Sequence, residues 1–255
     1  MTYEVQLLRM GVGDVPGPEL FWMSHWDEWY PLVFQAVLIR GHGRVVLINT
    51  GPAEDLAPMN DGWASFLGDR ARFRRQPGEF IIEQLDRFGV RPEDVTDIIL
   101  TPLQLYTVSN VLLFPRARIH ISRRGWLHLH ETHEHPHDSR ETSIPVPILT
   151  ELVGSCWPRV ALLDDEQEIA PGLRTWWAGG HHRASVAVEI DTKTGTAVAS
   201  DAFFYLENVA KAHPIGICEN IYEALDAMKR AALAKHIIPL YDPHNFERYP
   251  DGLVE

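Results

Sequence analysis

The sequence predicts an α/β fold in which two sheets pack face to face with helices on their outer sides. Three observations predict it. Short apolar strand segments fall into two groups along the chain, each with helical segments beside it. Val45, Val46, Leu47 and Ile48 form an uninterrupted apolar run, the pattern of a strand covered on both faces. The 255 residues, 45% of them hydrophobic, suffice for a substantial core, and no tandem repeat or low-complexity linker divides them. Residues 1–255 therefore read as one domain, with an aromatic-rich insertion around residues 20–31.

The elements follow in order. Strands are expected at Tyr3 to Leu8, Leu32 to Arg40 and Arg44 to Asn49, the last two joined by Gly41-His42-Gly43, a tight hairpin signal. In the insertion, Trp22, Trp26, Trp29 and Tyr30 alternate with His25, Asp27 and Glu28. Core, pocket wall and interface are all open to them. Gly51 to Gly78 reads as irregular. Phe80, Ile81, Leu85 and Phe88 have helical spacing over Glu79 to Phe88, with Gly89 as the C-cap. Asp97 to Leu100 is a buried strand, Ile119 and Ile121 mark another, and Arg123 to Glu131 opens a helix. The second group of strands comprises Val160 to Leu163, Leu173 to Trp177, Val186 to Ile190 and Thr196 to Ala199. A helix from Glu219 to Ala234 then leads into a short strand, His236 to Pro239.

The formal charge of −12 argues against sequence-independent binding to nucleic acid or an anionic membrane, both of which need clustered basic charge. Arg70, Arg72, Arg74 and Arg75 form one short basic run, best read as a solvated or partner-facing helix surface. Cys156 and Cys218 are far apart, so neither a disulfide framework nor a CxxC knuckle is present. The N-terminal residues lack a signal-peptide core, and no segment has the ~18 apolar residues of a membrane span. A soluble, cytoplasmic protein is expected.

Several motifs carry chemistry. Leu47-Ile-Asn-Thr-Gly51 closes a strand. Asp97-Ile-Ile-Leu-Thr-Pro-Leu-Gln-Leu-Tyr-Thr107 runs on to a Phe114-Pro turn and Ser122-Arg-Arg-Gly-Trp126. Gly179-Gly-His-His-Arg-Ala-Ser185, Ser200-Asp-Ala202 and Ile238-Pro-Leu-Tyr-Asp-Pro243 follow in the second half. In this order they resemble the metallo-β-lactamase superfamily, in its lactonase-like branch, from about Val33 to Pro250. The resemblance implies an αββα sandwich of two mixed sheets.

The same resemblance implies two metal ions and hydrolysis by metal-bound hydroxide. One metal would draw on positions 102, 104, 181 and 201, the other on 106, 107, 201 and 241. In the family the loop reads Thr-His-x-His-x-Asp-His. In this chain Pro102, Gln104, Tyr106 and Thr107 stand at its ligand positions, Tyr241 replaces the last metal His, and only His181 and Asp201 survive. Proline offers no side-chain donor, Gln and Thr are weak ligands, and a phenol with pKa ~10 must first lose its proton. No dinuclear centre is expected at the ancestral site and no cofactor tightly bound; a zinc-like metal would enter only with a partner chain that carries it.

Two readings of function result. One is a pseudoenzyme: the non-catalytic or supporting subunit of a heteromeric hydrolase, beside a metal-bearing paralogous chain, or else a homo-oligomer. The other is a metal-independent or weakly mononuclear hydrolase of a small ester, lactone or aryl ether. In it His181 and Asp201 supply a general base, Tyr106 and Tyr241 donate to a developing oxyanion, and Gln104, His182, Tyr205 and Trp26 line the pocket. The bland alternative for His181 and Asp201 is a hydrogen-bonded pair that satisfies a buried carboxylate. Finally, His133, His135, His137 and Asp138 crowd one segment. Its place after the Trp126 motif predicts an exposed cluster that would hold metal only adventitiously.

Overall fold

A computed structural model describes residues 2–131, 140 and 142–254. The first sheet contains β1 (Glu4–Pro16), β2 (Trp29–Gly41), β3 (Arg44–Ile48), β4 (Asp97–Leu100), β5 (Arg118–Ser122), β6 (Val160–Leu163) and, at the far end of the chain, a two-residue strand, Leu253–Val254. That last strand pairs with β1, and the order then runs from β1 to β6. Pairing is antiparallel through β1, β2 and β3 and parallel from β3 to β6, so the sheet is mixed. The second sheet contains β7 (Glu166–Ala170), β8 (Leu173–Trp177), β9 (Val186–Thr192), β10 (Gly195–Ser200) and β11 (His236–Pro239). Its strands lie in reverse sequence order, antiparallel except for β10 with β11.

The strand parity explains the layers. Val37, Ile39, Val46, Ile48 and Ile99 point into the space between the sheets, where they meet Leu173, Val186, Val188, Ile190 and Ile238. Their neighbours Leu38, Leu47, Ile98 and Leu100 point the other way and pack with Ile81, Leu85, Trp126, Ile148 and Leu152 from the helices. On the far side of the second sheet, Ala187 and Val198 are covered by Ala227, Met228 and Ala231 of the helix Ile221–Ala231. The order is helix, sheet, sheet, helix, and the apolar run at β3 is continuous because each face of that strand is buried. Each such Leu, Ile or Val stabilises the fold by ~1.5–3 kcal/mol relative to exposure.

The predicted strands after the hairpin lie where expected, and the helix expected over Glu79 to Phe88 is present as the shorter Ile81–Asp86, with Arg87 as its C-cap and Gly89 at φ +65° in the turn beyond. Three readings need correction. The first strand is twice as long as its apolar alternation suggested, because a bulge between Arg9 and Gly11 lets it continue to Pro16. The stretch read as irregular holds the helix Ala57–Leu67, with a proline in its first turn. Met59, Trp63, Phe66 and Leu67 have the helical spacing that would have revealed it. The basic run is not a helix face: Arg72 pairs with Asp61 and Asp69, Arg74 with Asp14, and Arg70 lies over the Trp29 ring. Among the described residues, no helix is long and apolar enough to cross a membrane. The segment with His133, His135, His137 and Asp138 lies outside the described residues.

Candidate functional site

Loops after the carboxyl ends of β4, β10 and β11, together with the turn between β8 and β9, gather at one end of the sandwich. Asn49 fixes the first of them. It sits at φ +64°, a left-handed conformation that Asn tolerates, and its amide bridges Thr101 twice: Oδ1 accepts from the Thr101 N–H at 2.8 Å and Nδ2 donates to the Thr101 carbonyl at 2.7 Å. A carboxylate in its place has no proton for the second bond. The Thr107 hydroxyl donates to the Pro102 carbonyl at 2.6 Å and accepts from the Gln104 N–H, so it is spent inside its own loop.

The turn before β9 relies on Gly179 and Gly180, at φ +56° and +71°. A Cβ on Gly180 would come within 2.8 Å of the Ala224 backbone, so only glycine lets this turn settle against the helix Ile221–Ala231. Glu223 accepts from the Gly180 N–H and also pairs with Arg183. These contacts hold His181 and His182 in place.

Asp201 is completely buried and receives three side-chain donors: Thr101 Oγ, Ser185 Oγ and His181 Nδ1, the last at 3.0 Å. Thr101 Oγ also accepts from the Val186 N–H at 2.9 Å, so this hydroxyl ties β4 to β9 across the two sheets. Burial and the neighbouring His182 push the His181 imidazole down to about 4, more than its bond to Asp201 lifts it. The ring is therefore neutral at pH 7, donates from Nδ1 and carries its lone pair on Nε2.

In front of this network lies a cavity of about 380 Å³. Gln104, Tyr106, His181, His182 and Tyr241 supply polar groups, while Leu32, Phe34, Met59, Trp63, Phe66, Leu67, Phe204 and Ile217 supply apolar walls. The Tyr241 hydroxyl is fully enclosed and makes no hydrogen bond of full geometry, although the Tyr106 phenol is close enough to interact with it. Burial, then Tyr106 and Asp201, raise Tyr241 well above the ordinary phenol value, so it stays protonated. Glu219 behaves in the opposite way. Its burial is outweighed by His182 and by Arg183, the latter at 2.7 Å, and its carboxyl is held down at about 2.

Of the sequence-predicted residues, His181, Tyr106, Tyr241, Gln104 and His182 line this one cavity, and Asp201 supports His181 from behind. Tyr205 and Trp26 do not line it. The Tyr205 hydroxyl donates to the Pro31 carbonyl, and its ring packs on Phe21 and Tyr30, which ties the aromatic insertion to the core. Trp26 is 65% exposed on the surface. Sequence reasoning missed Ser185 and Thr101 as partners of Asp201, the wall helix Ala57–Leu67, and Glu19, whose place in the cavity wall has no local signal at all.

The residues do not fit a dinuclear metal centre. Asp201 already accepts three hydrogen bonds, the Thr107 hydroxyl donates to a carbonyl, Tyr241 keeps its proton, and position 102 has no donor. Among the described residues, no three His, Cys, Asp or Glu side chains are grouped so as to hold a metal ion.

No family model matches the chain, and no curated protein matches it by sequence. Solved structures do. An N-acyl homoserine lactone hydrolase, with its product N-hexanoyl-L-homoserine at the catalytic metal centre, superposes with a TM-score of 0.80 at 18% identity over 97% of each chain. AidC, a dizinc quorum-quenching lactonase, gives 0.68 at 16% identity over 98% of this chain and 89% of its own. The hydrolase AbOPH, of the beta lactamase superfamily, gives 0.67 at 16% identity over the same shares. This chain thus has the metallo-β-lactamase fold, an αββα sandwich, of the kind found in lactonases.

Proposed function

We propose that the protein takes a small, largely apolar molecule into the cavity beside His181 and has no dinuclear metal centre of its own. One observation carries this reading: of the two surviving ligand-type residues, Asp201 is engaged by Thr101, Ser185 and His181, which leaves only Nε2 of His181 facing the cavity as a metal-type donor. The cavity itself is retained, at a size suited to a small molecule, with apolar walls and a few convergent polar groups. In this reading the chain is the supporting subunit of a hydrolase, and a metal-bearing paralogous chain contributes the metal chemistry. Trp22, Met23 and Trp26, 49%, 63% and 65% exposed in the aromatic insertion, support a partner-facing surface.

A second reading is favoured by the orientation of His181. With Nδ1 anchored on Asp201, the nitrogen left for the cavity is Nε2, which can take a proton from water as the water attacks an ester, lactone or aryl ether. The protonated Tyr241 and its neighbour Tyr106 are suited to donate to the oxyanion that forms.

Metal content, measured by elemental analysis of the tag-free chain alone and co-expressed with a metal-bearing paralogue, tests the first reading. Well under one ion per chain is expected for the protein alone. One or two tightly held ions per chain would overturn it. Turnover by the chain alone that survives a chelator and disappears in His181→Ala and Asp201→Asn would replace it with the second.

A further inference from the structure

The charges around the cavity all have one sign. Asp14 and Glu19 line it, and its described lining residues include no Lys or Arg. Asp14 is answered by Arg74 at 2.9 Å. Glu19 is not answered: among the described residues its carboxyl has neither hydrogen bond nor ion pair, and its backbone carbonyl alone is used, by the N–H groups of Gly216 and Ile217. Burial without compensation pushes this carboxyl up to about 7. A carboxylate left in apolar surroundings is costly, and a cation brought beside it restores its charged form.

The rings that line the cavity point the same way. Phe34, Trp63, Tyr106 and Tyr241 form one group with centroids 5.1 to 6.2 Å apart, edge-to-face except for the tilted Phe34–Trp63 pair. Phe66 and Phe204 line the same space. Elsewhere in the protein, aromatic faces are capped by arginines: Arg70 on Trp29, Arg124 and Arg183 on Trp177, and Arg230 on Trp176. No described arginine caps a ring of the cavity. Electron-rich faces sharing a cavity with a carboxylate that has no partner among the described residues are a site for a cation that the described residues do not supply.

We propose that the cavity selects an organic cation, a small apolar molecule bearing an ammonium group, which pairs with Glu19 and packs among Phe34, Trp63, Phe66 and Tyr106. The proposal rests on the cavity being a small-molecule site and names the class of molecule. The net charge of −12 favours the same sign of ligand at long range. Anionic molecules are excluded by the same groups.

Three probes of similar shape separate the possibilities: 2-phenylethylammonium, 2-phenylethanol and 3-phenylpropionate, titrated calorimetrically into the full chain near pH 8. The ammonium is expected to bind about tenfold or more tightly than the alcohol, a difference of ~1.4 kcal/mol, with the carboxylate weakest. Glu19→Gln should bring the ratio of ammonium to alcohol affinity to about one, while Glu19→Asp, which keeps the charge, should retain a preference. Equal binding of ammonium and alcohol, preference for the carboxylate, or an unchanged ratio in Glu19→Gln overturns the cation while leaving the cavity as a binding site. If none of the three binds, both the cation and the small-molecule cavity fall.

Discussion

Two carboxylates serve the same cavity, Glu19 in its wall and Asp201 behind its His181, and they are treated in opposite ways. Asp201, behind His181, is completely buried and saturated by Thr101, Ser185 and His181. Glu19, in the wall, is part-buried and has no partner among the described residues. The first is what a folded protein does with a charge it must bury, and its loss would take the common acceptor from three side-chain donors between the sheets. The second contributes nothing to the fold and is costly to keep. The difference teaches where to look for function: the Asp201 carboxylate is satisfied by the protein itself, while the carboxylate with no partner among the described residues is the one in the wall.

The largest test breaks the first half of that contrast. Asp201→Ala should destabilise the protein by ~3–5 kcal/mol, because Thr101, Ser185 and His181 lose their common acceptor in a site that excludes water. Urea denaturation measures it, and a loss below ~1 kcal/mol would mean that the network is not structural. A second test concerns Glu219, whose carboxyl is held at about 2. A depressed carboxylate adds stability above its unfolded value of ~4.5, and that stability is lost as pH falls from there toward 2. Acid unfolding should therefore be steep in this window and shallower in Glu219→Gln. The smallest effect has the opposite sign. Because Glu19 stands at about 7, the native state holds a proton that the unfolded chain has released, so its contribution declines as pH climbs from ~4.5 to 7. Glu19→Gln should raise the melting temperature by a few degrees at pH 8 and change it little at pH 5. An equal gain at both pH values would show that charge is not the cause.

Most of the scaffold was legible in the sequence because strand and helix periodicity are local properties. The run Val45 to Ile48 must be covered on both faces, and it is. The resemblance of the motifs to the metallo-β-lactamase superfamily implied that His181, Asp201, Tyr106 and Tyr241 lie together, and they gather at one end of the sandwich. The bulge at Arg9 and Gly11 was not legible, since one unpaired residue leaves no periodic trace. Tyr205 sits close in sequence to Asp201, yet its chain turns away so that the ring packs on the aromatic insertion.

Residue type alone determined that Pro102, Gln104, Tyr106, Thr107 and Tyr241 cannot offer a metal what His and Asp offer, because donor chemistry travels with the side chain. Only the tertiary structure decided that Asp201 is saturated and Glu19 is not. Desolvation and hydrogen-bond partners come from residues far away in the chain, Thr101 lying 100 positions before Asp201, and no local pattern records who will be buried beside whom.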